Sequence, residues 1–314
     1  MQREAREKLG ILLGLVGVIC FSLTLPCTRV AVAYFGTTVV GLGRTVVAAI
    51  LVAGVLIIRK EKLPSPRQFI SLLIVAVGAV LGFPLLTTWA MEYLPVSHGA
   101  VEVALLPLAT AGFAIFRAGE IPSLKFWISS VIGSVAVIIY ALHLGLGSLK
   151  FADLAILLAV IILGLSYAEG GRLSKELGSW QVIAWAILIG APFFIIPVGL
   201  NLTTEMLHAP IHAWVSFIYL AVVSQFLAYV AWYSGMAMGG IARVSQIQYL
   251  QPFLMILFAI VFLDESITLF TLIIALIVVF SVIIGKNTEI RKVQPISQES
   301  LPQSSETHNS KSID

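Results

Sequence analysis

The chain has 314 residues, of which 59% are hydrophobic and 11% charged, with a formal net charge of +3 and two cysteines. A soluble domain of this size cannot hide so much apolar surface, because folded surface falls too slowly with mass. Composition therefore excludes a soluble globular enzyme and makes lipid the solvent, and without a basic cluster interleaved with aromatics it also argues against nucleic acid as a partner.

Crossing about 30 Å of hydrocarbon takes roughly 20 apolar residues in a helix, and ten such runs follow one another. The first covers residues 9–32, after a short polar N-terminus at 1–8. It is too long for a signal-peptide core and is expected to remain as an anchor. Ser22 and Thr24 interrupt it before Pro26, which can kink the helix. Arg29 follows one turn later, expected to reach the headgroups or, through the kink, to turn toward Arg44. Cys20 and Cys27 lie about 10 Å apart along this helix, too far for a disulfide, and are read as packing residues.

The second run, 38–58, carries Arg44 and Ala48; the third, 69–91, ends on Trp89, with Tyr93 just beyond. The fourth, 97–116, holds Glu102 and Pro107, with His98 at its start, and the fifth covers 126–142. After a glycine-rich loop containing Lys150 come runs at 153–169, 180–200, 214–235, 242–263 and 269–284. A polar tail at 286–314 is expected to be disordered and cytosolic. With the N-terminus inside, fifteen Lys and Arg residues up to Lys292 fall on the inner side and Lys150 alone on the outer, which predicts cytoplasmic termini.

Leu105-x-Pro107 followed by Glu120 recurs as Leu250-x-Pro252 followed by Glu265, each residue 145 positions on. Phe113-Ala114-Ile115 matches Phe258-Ala259-Ile260 and Met91 matches Met236 at the same offset. The expected fold is an all-α membrane protein of ten transmembrane helices, arranged as two five-helix repeats at 9–146 and 147–285. Five is odd, so the second repeat must insert upside down. Inverted repeats recur in secondary transporters, where two related halves expose one central site alternately to each side.

These features resemble the EamA family of the drug/metabolite transporter superfamily. The resemblance spans residues 9 to 285 and rests on Pro107 with Gly119-Glu120, Pro252 with Asp264-Glu265, Arg44 followed by Ala48, and the polar interruption at Ser22 and Thr24. It implies an inner-membrane carrier, usually an exporter of small metabolites such as amino acids, working by alternating access.

Ionisable groups within spans usually face a wet cavity or one another. Arg44 and Glu102 lie at similar depth, so they are expected to pair across a cavity, to hold the two charges of a zwitterionic substrate, or to form a structural ion pair. Glu102, whose repeat counterpart is Ile247, is also a candidate for a coupling proton. Glu169 and Arg243 are candidates for an inner gate, against a local bridge between Glu169 and Arg172. Gln246, Gln248 and Gln251 make the ninth run polar, whether for substrate or for joining helices. Trp89, Tyr229, Trp232 and Tyr233 fit interfacial aromatic belts, with one or two left to face the cavity. Tyr140, Tyr167 and Trp185 are less clearly interfacial.

His208 and His212 are separated by Pro210, which argues against a metal site, and no cofactor is expected. No phosphate loop, His-Glu-x-x-His or Gly-x-Ser-x-Gly occurs, so an enzyme is not expected. The leading function is export of a small amphipathic or zwitterionic metabolite; the alternative is import or exchange of an anionic, nucleotide-like one. A non-transporting scaffold is the remaining class.

Overall fold

The computed structural model describes residues 2–94, 96–103, 105–143, 151–263, eight positions between 269 and 281, and 290–292. Glu265 with its neighbour Asp264, Lys150 with its glycine loop, much of the tenth run and most of the tail lie outside the described residues, as do the side chains of His98, Tyr140 and His143.

The described chain is almost wholly helical. Its helices are α1 (Gln2–Ser22), α2 (Thr24–Thr38), α3 (Arg44–Arg59), α4 (Pro66–Val75), α5 (Phe83–Ala90), α6 (Val96–Val103) and α7 (Leu106–Ala118). There follow α8 (Leu124–His143), α9 (Phe151–Leu173), α10 (Ser179–Leu200), α11 (Ile211–Ile218), α12 (Ala228–Gly239), α13 (Ile241–Ser245) and α14 (Gln251–Leu263). Among the described residues six stretches are long and apolar enough to cross a membrane: Glu4–Arg59, Pro66–Ala90, Phe151–Leu173, Ser179–Leu200, Ile211–Gly239 and Ile241–Phe262. Leu106–Ala118 and Leu124–Ala136 are shorter apolar helices. The 56-residue stretch is not one rod, since Gly36 breaks it at φ 69°, ψ 166°, a conformation that favours glycine.

Local sequence sets the helix ends. Ser65 and Gln68 form a capping box ahead of α4, with Pro66 in the first turn where its missing N–H costs nothing. Ser22 Oγ bonds back to Val18 O, and α1 gives way to α2 at Leu23, because Pro26 cannot donate to Ser22. Three spans contain π-helical turns: Val39–Gly43, Ala76–Gly82 and Tyr219–Leu227. The last two overlap at the 145-residue offset. Such turns loosen the i→i−4 ladder and are frequent at functional positions.

Glycines set the tightest seams. A Cβ on Gly10 would lie 2.5 Å from Gly239 N, and one on Gly235 would lie 2.8 Å from Gly10 O, so α1 and α12 meet backbone to backbone. Small residues allow this approach, which supplies the packing that lipid cannot replace. A short antiparallel pair joins β1 (Glu120–Pro122) to β2 (Ile290–Lys292). That strand falls within 286–314, where the sequence led us to expect no order.

Candidate functional site

Within the bundle lies a small pocket to which both halves of the chain contribute. Phe21, Thr24, Arg44, Ala79, Phe83, Pro84 and Leu106 line it from the first half. Leu163, Tyr167, Ser224, Gln225, Tyr229, Gln251 and Met255 line it from the second. In this arrangement its cavity volume is only about 10 Å³, room for about one water, so the side chains have to move apart to admit a larger body. Arg44 is 2% exposed, and Gln225, Tyr229 and Gln251 are similarly buried.

Arg44 opens α3 directly after the π turn at Val39–Gly43. Among the described residues no carboxylate reaches it, and its Nε is buried without a hydrogen bond. An unpaired cation in a low-dielectric interior costs several kcal/mol, even after relaxation. The other polar groups of the pocket mostly satisfy one another. Thr24 and Ser224 share a hydrogen bond of 2.8 Å. Gln225 Nε2 and the Tyr229 hydroxyl both donate to Ala79 O at 3.4 Å, a carbonyl within the π turn of the third run. Thr45 Oγ1 donates to Val80 O, the next carbonyl, at 3.4 Å.

Behind the pocket stands a cluster of rings. Phe21 meets Tyr229 edge-on at 4.9 Å, and Tyr167 lies 5.4 Å from Trp232 and 5.9 Å from Tyr229. Tyr229, Trp232 and Tyr233 are at most 4% exposed. They form the core rather than the interfacial belt expected from their place near a run's end, because the helix they belong to is pressed against α1 by the glycine seam.

The structure separates several residues that the sequence suggested pairing. Glu102 does not face Arg44; it meets Asp153 at the start of α9, and both carboxyls are buried. Arg29 does not turn toward Arg44. Its Nη1 donates to Met91 O and Leu94 O, carbonyls of the turn that follows α5. Trp89 packs on Tyr93, with ring centres 5.3 Å apart, and is absent from the pocket lining.

Glu169 and Arg243 also part company. Glu169, fully buried, accepts from Arg117 at 2.6 Å and from Arg172 at 2.7 Å; Arg172 also holds Ser71 and Glu176. Arg243 instead bonds Glu7 on α1 at 2.9 Å. Gln246 turns away from the pocket and donates to Ser129 Oγ at 3.2 Å, in a polar seam with α8 that Tyr249 and Ser134 continue.

In the first copy of the repeated motif, Glu120 has a structural role on the end of the bundle that carries the N-terminus. Pro107 and Pro252 are buried at the starts of α7 and α14. Gly119 ends α7 in the left-handed conformation, φ 62°, and turns Glu120 back into the protein. Glu120 is 1% exposed and accepts from Ile241 N at 3.1 Å and Ala242 N at 2.9 Å, with Lys175 Nζ 3.8 Å away. It thus caps the start of α13 from across the repeat boundary.

Sequence reasoning missed Ser224, Gln225 and Asp153, and passed over Tyr167 and Tyr229. The repeat itself could have found some of them. Ala79, Pro84 and Leu106 line the pocket, and so do the residues 145 positions on, Ser224, Tyr229 and Gln251.

The EamA-like transporter family matches the chain twice, over residues 8–142 and 150–285. The chain is 42% identical over 259 residues to an uncharacterized transporter, YdeK, of Bacillus subtilis (strain 168), covering 82% of this chain and 90% of that protein. It is 22% identical over 255 residues to a probable terminal-alkyne amino-acid exporter of Streptantibioticus cattleyicolor, covering 79% of this chain and 83% of the exporter. One solved crystal structure shares the fold with a TM-score of 0.68 at 16% identity, over 88% of this chain and 98% of that one. The chain belongs to the EamA-like transporter family and is a helical membrane protein.

Proposed function

We propose that this transporter moves a small amphipathic or zwitterionic, amino-acid-like metabolite outward by alternating access, through the pocket around Arg44. The observation that carries the reading is a buried guanidinium that meets no carboxylate among the described residues, in a pocket lined by both matched segments. A substrate carboxylate supplies the missing charge, and apolar walls from Phe83, Leu106, Leu163 and Met255 take its body. Only a substrate that brings an anion offsets the cost of burying Arg44. The name of the distant Streptantibioticus relative agrees with this class.

In this reading ten passes form two inverted repeats, at 9–146 and 147–285, with both termini in the cytoplasm and the tail at 286–314 beside them. The charge bias and the coincidence of π turns at the repeat offset support it. The cytoplasmic gate is then the set around Glu169 and Glu120, and the outer closure lies near Arg29, Glu102 and Asp153. Glu102 carries a coupling proton, and its contact with a second buried carboxyl supports that, since two carboxyls at such range share one.

A second reading, exchange or import of an anionic metabolite, gains from the same structure. Glu102 counted against an anion, and it stands beside Asp153, outside the pocket lining. Counterflow in proteoliposomes decides, using labelled amino acids, amines, nucleosides and sugar phosphates. Exchange of amino acids supports the first reading; exchange of sugar phosphates alone replaces it with the second. No exchange of any member by folded protein removes both.

A further inference from the structure

The central pocket is asymmetric in a way the repeat makes readable. At three pairs of positions 145 residues apart, both members line it: Ala79 and Ser224, Pro84 and Tyr229, Leu106 and Gln251. In each pair the first-half member is apolar and the second-half member polar. At these pairs the second half sets hydrogen-bonding groups where the first sets apolar ones, and together with Thr24 and Arg44 of the first half they make up the polar wall of the pocket.

Within the polar wall most groups are already engaged. Thr24 and Ser224 bond to each other, Gln225 and Tyr229 donate to Ala79 O, and the Tyr167 hydroxyl meets that of Tyr229. Two groups are not. Arg44 Nε and Gln251 Oε1 are both buried and without a hydrogen bond, on side chains 2% and 3% exposed. One is a cationic donor and the other a neutral acceptor. Leaving a buried acceptor unmet is costly; Gln246 and Gln248 hold such acceptors too, but of the three glutamines Gln251 is the one that lines the pocket. Leu106, at the matching position of the first half, shows that the fold accepts an apolar side chain at this place.

We infer that Gln251 is the specificity-determining residue of the pocket, its Oε1 accepting a hydrogen bond from an amino or hydroxyl group that stands beside the carboxylate held by Arg44. The substrate class is then an α-amino or α-hydroxy acid with an apolar side chain. This rests on the reading of the pocket as the substrate site. A plain carboxylic acid of the same shape satisfies Arg44 but strands Gln251, and a site built to meet a polar group rejects the analogue that lacks it. Gln251 also fills the variable place in the Leu-x-Pro motif, so the motif's proline fixes the helix start while its middle residue selects the cargo.

Three probes separate the roles: leucine, its α-hydroxy analogue 2-hydroxy-4-methylpentanoate, and 4-methylpentanoate, which has neither group. Binding of each to the purified full chain is measured by titration calorimetry for wild type, Gln251→Met, Gln251→Glu and Arg44→Met. Wild type is expected to hold leucine and the hydroxy acid about 10- to 100-fold more tightly than the plain acid. Gln251→Met removes that preference, so that the three probes bind within about threefold of one another. Gln251→Glu, which keeps the acceptor and adds charge, favours leucine over the hydroxy acid, and this second variant answers if the first does not fold. Arg44→Met weakens all three.

A preference that survives in Gln251→Met overturns the assignment and leaves the pocket as the site. Equal binding of the three probes by wild type, lost in Arg44→Met, does the same. No binding of any probe by wild type overturns both the assignment and the amino-acid reading beneath it.

Discussion

Replacing Glu120 by Gln removes one charge and one acceptor from the start of α13 while keeping the side chain's shape. The carboxylate now meets two amides, at 3.1 Å and 2.9 Å, and is 1% exposed. Hydrogen bonds to a charged group contribute about 1.5–3 kcal/mol each. The Gln side chain retains one of them and turns its own NH₂ toward the other amide. Lys175 lies 3.8 Å away and is one-third exposed, so its loss adds less than about 1 kcal/mol. The sum, about 2–4 kcal/mol, falls on the closed arrangement of this end and shifts a closed–open balance roughly 30- to 1,000-fold. The assay is maleimide labelling of Cys placed at Ile241, which is fully buried, in a background with Cys20 and Cys27 replaced by Ser. Glu120→Gln is expected to raise the labelling rate in protein whose thermal unfolding is still cooperative. An unchanged rate refutes the cap as the closure of this end.

Glu169→Gln takes the carboxylate from Arg117 and one of two from Arg172, and should cost about 3 kcal/mol, the low end for a broken buried pair because both guanidinium groups keep some solvent and Arg172 keeps Glu176; thermal unfolding in detergent reads it. Gly10→Ala drives a methyl into the backbone of Gly239 and should cost about 1–3 kcal/mol, whereas Gly54→Ala, with nothing within 4 Å, should leave the melting temperature unchanged; equal effects would deny the seam. Gln246→Leu loses only its bond to the serines of α8, worth about 0.6 kcal/mol, and leucine counterflow should stay within about twofold of wild type. A tenfold loss of counterflow with unchanged stability would return Gln246 to the substrate path.

How much of this was legible depends on which coordinate a residue's function uses. Arg44 stood out because a charge in an apolar run is rare, and it is the charged residue that lines the pocket. Glu102 stood out for the same reason, but its partner did not. Depth along a helix follows from counting residues, whereas direction around the helix depends on packing angles and kinks that counting does not give. Equal depth paired Glu102 with Arg44 on paper, and packing of α6 on α9 gave it Asp153. Glu169 failed likewise: Arg243 lies at the same end of the bundle, yet Arg172 one turn on and Arg117 on the packed α7 are nearer. Tyr229 was assigned to an interface because run boundaries drawn from hydropathy cannot see a π turn or a glycine seam. The repeated Pro and Glu were legible as a repeat, but the role of Glu120 needed the fold, since the amides it caps lie more than a hundred residues away.

The central claim is that the substrate's anionic group is held by Arg44 in the pocket between the matched segments. Leucine counterflow in proteoliposomes, compared among wild type, Arg44→Lys and Arg44→Met at matched protein density, tests it most directly. The account predicts exchange by wild type, a partial loss in Arg44→Lys, and at least about a tenfold loss in Arg44→Met, because removing the charged partner forfeits a charge-assisted bond. Wild-type exchange by Arg44→Met would contradict it.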